Sequence, residues 1–144
     1  MKKTIFWIGF TCLVIGGCAR RGIPEGPIIW QSDLQQALET ARQTDKMVVI
    51  DFMADWCPPC RAMDDSTFRH PAVAERFSRV IPVRINVDLH PEIANQYNGN
   101  ARKYGGIGIP NLLFLSSAGE RLVHLVGFQA PDRLTAVLDS LLVR

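Results

Sequence analysis

Apolar residues along the chain follow several distinct spacings. Thr4 to Gly17 is apolar or small throughout, 14 residues without a charge behind Met1-Lys2-Lys3. Leu34, Ala37, Leu38 and Ala41 then recur at the spacing of one helix face, after Ser32-Asp33-Leu34-Gln35, which has the form of a capping box. Met47 to Met53 is a near-continuous apolar run broken by Asp51, the pattern of a strand buried on both faces. Cys57-Pro58-Pro59-Cys60 opens the next predicted helix, since proline is tolerated in a first turn. That helix directs Met63 and Phe68 inward and breaks near His70-Pro71, before a short helical piece through Val73 and Phe77. Val80 to Val87 reads as a strand, and Pro91 to Tyr104 as helical in its first part and loosened by Asn98-Gly99-Asn100. Asn111–Ser116 and Arg121–Val126 form a hairpin around Ser117-Ala118-Gly119-Glu120. Pro131 starts a last helix with Leu134, Val137, Leu138 and Leu141 on one face. The order predicts an α/β domain, helices covering a central sheet.

The length of 144 residues suits one domain, and a hydrophobic share of 47% is enough for a core. The N-terminal apolar stretch is too short for a membrane span, which needs about 20 residues, and right for a secretory signal. It ends in Ile15-Gly16-Gly17-Cys18, which resembles the lipobox of bacterial lipoproteins. Residues 1–17 are therefore expected to be a signal peptide and Cys18 the lipidated residue. Residues 18–29, with Gly22, Pro24, Gly26 and Pro27, form a tether, and 30–144 the folded domain. An uncleaved signal anchor with Cys18 as a free thiol is the alternative. Ala19 after Cys18 favours an outer membrane where the source has two, facing the periplasm.

Of the four cysteines, Cys12 falls in the signal and Cys18 under lipid, leaving Cys57 and Cys60 as one pair in an oxidising compartment. The formal net charge of +2 disappears with Lys2 and Lys3, so nothing points to nucleic acid or to electrostatic attachment to a membrane. A monomer is expected.

Two cysteines separated by two residues at a strand-to-helix junction can close a small disulfide or open to a dithiol. Half of a zinc site is the alternative, but His70, His90 and His124 show no paired ligand spacing, so no metal is expected. Arg61 rather than His follows Cys60, which excludes c-type haem attachment, and no cofactor is expected. Asp51, six residues before Cys57, is costly in a buried strand unless paired or functional. Desolvation there should raise its pKa, unless the strand end reaches solvent. Asp64, four residues after Cys60, falls on the same helix face, as an acid of the site or as an ordinary surface acid.

The run Asp51-Phe52-Met53-Ala54-Asp55-Trp56-Cys57-Pro58-Pro59-Cys60, with Ile85-Asn86-Val87-Asp88 and Gly108-Ile109-Pro110, resembles the thioredoxin superfamily in the same order, over roughly Ile29 to Val143. Within it, the Ala-Asp-Trp-Cys run, Thr67-Phe68 and Gly127-Phe128 are similar to the C-terminal periplasmic domain of the thiol:disulfide interchange protein DsbD. The resemblance implies a thioredoxin fold with a mixed sheet, and a redox disulfide between Cys57 and Cys60. It makes Cys57 the nucleophile at a helix N-terminus and Cys60 the less exposed resolving thiol. Asp51 becomes the acceptor of the Cys60 proton, and Asp64 an acid that keeps the cysteine pKa high. A cis bond at Ile109-Pro110 is implied, with an exposed edge at Ile109 that can pair with an extended partner. Trp56, Pro58 and Pro59 complete the substrate surface, Trp56 shielding the loop or serving as a core aromatic.

Three positions depart from the thioredoxin pattern: Pro58 for Gly, Arg84 for a lysine that can pair with the buried acid, and Asn111 for Thr. The expected activity is reduction of protein disulfides, with electrons from a membrane donor. The rivals are a cytochrome c maturation thiol reductase, a thiol oxidase or isomerase, and a non-catalytic binding module.

Overall fold

The computed structural model describes residues 28–97, 99 and 108–143. Cys18, the signal and all but the last residues of the tether lie outside them. Five α-helices and four strands follow in the order α1 (Leu34–Thr44), β1 (Val48–Met53), α2 (Pro58–Ala62), α3 (Pro71–Phe77), β2 (Ile81–Asn86), α4 (Pro91–Tyr97), β3 (Asn111–Leu115), β4 (Arg121–Val126) and α5 (Pro131–Leu142). The strands form one sheet in the order β2-β1-β3-β4, β1 running parallel to β2 and antiparallel to β3, and β3 antiparallel to β4. This is the thioredoxin fold.

Side-chain alternation along β1 splits the core into two layers. Val48, Ile50 and Phe52 pack with Leu34, Leu38 and Ala41 of α1 and Ala94 of α4. Val49 packs on the other side with Met63, Phe68, Val73, Phe77, Leu134 and Leu138. Asp51 shares the parity of Val49, and so does its register partner Arg84, which falls between the opposite-facing Val83 and Ile85. An acid and a base are thereby set side by side under the second layer.

Helix α1 is capped one residue later than the capping box predicts. Asp33, in an extended conformation, accepts the Gln36 N–H at 3.0 Å, so Ser32 lies outside the helix. Each of the first two strands starts one residue later than its apolar run, at Val48 and Ile81. The segment before α1 also adds to the sheet: the Gln31 N–H donates to the Pro82 carbonyl at 2.9 Å, and the Arg84 N–H to the Gln31 carbonyl at 2.8 Å. This bridge brings Trp30 against Phe68 and Phe77, edge to face with ring centroids 5.0 and 5.5 Å apart. Ile28 packs against the same layer.

Helix α2 continues without a break into a π-helical turn, Met63–Thr67, closed by the Phe68 N–H on the Met63 carbonyl at 2.9 Å. Met63 and Phe68 both turn inward as their spacing predicts. The widened turn is a local insertion that leaves no mark in apolar periodicity. Buried Thr67, at its end, donates to the Gln129 carbonyl at 2.6 Å, joining this turn to the segment before α5. Arg76 of α3 grips Asp139 of α5 through both Nε and Nη2, at 2.6 and 2.8 Å.

Candidate active site

Cys57 stands where β1 has ended and α2 begins. It is the N-cap of α2, in an extended conformation, and is joined to Cys60 by a disulfide with the Cα atoms 5.3 Å apart. The Cys57 sulfur also receives the Cys60 backbone N–H at 3.2 Å. Helix starts leave their first N–H groups without intrahelical acceptors, and these groups favour negative charge. Here the first two helical positions are Pro58 and Pro59, which carry no N–H, so the donor aimed at the sulfur comes from Cys60 itself. Among the described residues no three His, Cys, Asp or Glu side chains gather as a metal site.

The relative exposure of the two cysteines differs from expectation. Cys57 is 1% exposed and Cys60 4%, so in the disulfide form the first cysteine is as covered as the second. Both belong to a buried cluster that includes Ala54 and Ile109. Ile109 is 2% exposed, which corrects the expected exposed edge: its side chain is part of the packing around the cysteines. The Ile109-Pro110 peptide bond is cis. The Pro110 carbonyl accepts the Gly127 N–H at 2.8 Å, and Gly127 has φ +83°, a conformation that favours glycine. Asn111, fully buried after Pro110, meets His124 Nε2 through its side-chain oxygen. Burial lowers the His124 pKa below the ordinary histidine value.

Trp56 is not a core aromatic. It is 61% exposed beside the cysteines and pinned by its indole N–H, which donates to Asp88 at 2.6 Å. Asp88 ends the Ile85-Asn86-Val87-Asp88 motif, and sequence reasoning gave it no role. Pro58 is exposed and Pro59 half-buried.

In β1, Asp51 is buried, 2% exposed, and does not reach solvent at a strand end. Burial pushes its carboxyl up to about 6, against the opposing pull of Arg84, while the Asp64 charge adds to the rise. Arg84 Nε donates to Asp51 Oδ2 at 2.9 Å. Its Nη2 lies 2.8 Å from that same oxygen and 2.6 Å from Asp64 Oδ1. Asp64 is therefore tied to Asp51 through one guanidinium and is not a free surface acid. Among the described residues Asp51 Oδ1 has no hydrogen-bond partner. The guanidinium itself sits over the Trp30 ring at 4.4 Å and near the Phe68 ring at 5.5 Å. Sequence reasoning singled out Arg84 as a departure but not Trp30 or Phe68 as its platform. A basic residue and an aromatic outside the motif gave no periodic signal for such a contact.

A disulfide at a helix start after a central strand, in one cluster with the residue before a cis-proline, in a domain that also buries an acid in that strand, defines a thiol–disulfide oxidoreductase. Comparison with known proteins agrees. The chain belongs to the thioredoxin-like family, whose model, described as "Thioredoxin-like", matches residues 29–117. It is 34% identical to a thioredoxin of Alicyclobacillus acidocaldarius over 116 residues, covering 77% of this chain and 92% of that protein. It is 35% identical to the thiol:disulfide interchange protein DsbD of Neisseria meningitidis over 107 residues, but spans only 16% of that protein's length. The solved C-terminal domain of Neisseria meningitidis DsbD in the reduced form superposes with a TM-score of 0.59 at 31% identity, covering 74% of this chain and 92% of the domain. A structure described as DsbH oxidoreductase superposes with a TM-score of 0.69 at 22% identity and shares the fold.

Proposed function

We propose that this protein is a membrane-tethered, extracytoplasmic reductant of protein disulfides that works through Cys57 and Cys60. In the reduced form the Cys57 thiolate attacks a sulfur of the partner's disulfide. That bond breaks, a mixed disulfide forms at Cys57, and one partner thiolate leaves. Cys60 then gives its proton to Asp51 and attacks the Cys57 sulfur. The Cys57–Cys60 disulfide closes, and the partner leaves with its second thiol. Two electrons have passed from the dithiol to the partner, and a membrane dithiol donor must restore the pair.

The observation that carries the reducing direction is the proline pair at the first two positions of α2. A thiolate at Cys57 receives the Cys60 N–H, while Pro58 and Pro59 donate nothing. A thiolate less stabilised by helix donors has a higher pKa, and a reduced form less stabilised is a stronger reductant. Trp56, Pro58 and Pro59 form the face that meets the partner, while Ile109 and Pro110 are buried. Because Cys57 is covered in the disulfide form, a donor must displace packing around Ile109 to reach its sulfur. Asp64 helps hold the cysteine pKa up. The tether rests on Cys18 as the lipid attachment point, with residues 1–17 as the signal.

Equilibration with glutathione or a dithiol of known potential tests the direction. A potential near that of thioredoxin, about −270 mV, supports a reductant, and one near that of DsbA, about −120 mV, makes the protein an oxidant.

A further inference from the structure

The buried acid of β1 is held by a cation that it does not own alone. Arg84 Nη2 is 2.8 Å from Asp51 Oδ2 and 2.6 Å from Asp64 Oδ1, so one nitrogen serves two carboxylates. Asp51 Oδ1 meanwhile has no partner among the described residues. A guanidinium free to choose would take a buried carboxylate with both forks, satisfying both oxygens and fixing the charged form. Two constraints prevent this. Asp64 on the π-helical turn draws Nη2 outward, and the stack on Trp30 at 4.4 Å, with Phe68 at 5.5 Å, sets the plane of the guanidinium.

We infer that Arg84 is a positioning residue that Asp64 shares with Asp51, and that this sharing keeps Asp51 able to take and return the Cys60 proton instead of being locked as a fully paired carboxylate. The inference rests on the reading of Asp51 as the proton acceptor. It adds a division of labour in which Asp51 moves the proton and Arg84, on its aromatic platform, sets how tightly the resulting charge is held. Asp64 acts through Arg84.

The charged groups acting on Asp51 are Arg84 from β2 and Asp64 from the π-helical turn, and the β3 residue across from Asp51 is Leu112. Losing the Asp64 charge removes a like charge and frees Nη2 for Asp51. Both changes favour the carboxylate, so the apparent pKa of Asp51 falls. Arg84→Lys keeps a positive charge but cannot fork between two carboxylates or stack as a plane. In that background Asp64 loses its hold on Asp51 except through space.

The test follows the reduced full-length protein reacting with dithiobis(nitrobenzoate) by stopped flow. The first aromatic thiolate leaves when Cys57 attacks. The second leaves when Cys60 closes the disulfide, and the pH profile of this second phase reads the Cys60 proton transfer. Asp51→Asn should remove the inflection contributed by Asp51. Asp64→Asn should move it down by roughly one pH unit, and by less than half as much in the Arg84→Lys background.

Equal shifts in both backgrounds, or no shift, with the Asp51→Asn effect intact, overturn the sharing and leave Asp51 as the acceptor. An inflection that survives Asp51→Asn overturns the acceptor reading, and the sharing with it. Circular dichroism checks that each variant is folded. If Arg84→Lys does not fold, Asp64→Asn decides: a fall supports sharing, and an unchanged or raised inflection overturns it.

Discussion

The backbone N–H of Cys60 points at the sulfur of Cys57 from 3.2 Å, across a turn whose two intervening residues have no N–H to give. An N-cap side chain ordinarily accepts from the second or third helical position, and Pro59 holds the second. Replacing it with alanine restores that donor. We expect Pro59→Ala to lower the Cys57 pKa by about one pH unit, because a hydrogen bond to a charged group is worth about 1.5–3 kcal/mol. The thiolate's absorbance, followed during a pH titration of the reduced protein, reads this directly. The reduction potential should rise by up to about 30 mV, making the pair less reducing.

Asp51 makes stability depend on pH in an unusual direction. Burial raises its folded pKa from 3.8 to about 6. A carboxyl so raised binds its proton more tightly when folded. Its contribution is fully present below about pH 4 and is lost as pH rises through about 6. Two units correspond to about 3 kcal/mol. The wild-type protein should therefore lose roughly 3 kcal/mol of stability from this group between pH 4 and pH 8, a slope that Asp51→Asn removes. Urea unfolding at a series of pH values checks it, with the wild-type and variant curves converging toward acid.

How much of this was readable in the chain depends on the kind of signal. Cys57 to Cys60, Asp51 and Ile109-Pro110 are fixed by motif, and the strands and helices around them by periodicity. The structure joins the cysteines, buries the acid and makes the proline bond cis. What sequence did not carry is tertiary. The Arg84 guanidinium meets Asp64, Trp30 and Phe68 only because β2, the π-helical turn and the Gln31 bridge converge. Cys57 is buried in a cluster that includes Ala54 and Ile109, and no local pattern foretells how such a cluster closes. The cap of α1 was misplaced by one residue because Ser32 and Asp33 are both good N-caps, and only backbone geometry separates them.

Gly99 offers a test of the packing behind β1. Its N–H donates to the Ala94 carbonyl at 2.7 Å, and a Cβ placed on it would clash with the Phe52 ring. Phe52 is fully buried next to Asp51 and cannot swing away without disturbing the first core layer. Gly99→Ala should cost about 1–3 kcal/mol through overpacking. A lowered thermal midpoint with an unchanged reduction potential is the expected pattern.

The proposed tether gives a cellular prediction. With Cys18 as the lipid attachment site, Cys18→Ser should abolish incorporation of labelled palmitate and move the protein from the membrane to the soluble fraction of cells. Cys57→Ser should do neither. Retention of Cys18→Ser in the membrane would favour an uncleaved signal anchor.

Covalent capture tests the central claim most directly. A Cys60→Ser variant can form the mixed disulfide but cannot resolve it, so it should accumulate partner proteins in disulfide linkage at Cys57, released by a dithiol. The Cys57→Ser variant should accumulate none. A folded, exported Cys60→Ser protein with no covalent partner, or partners captured equally by Cys57→Ser, would contradict dithiol exchange through Cys57.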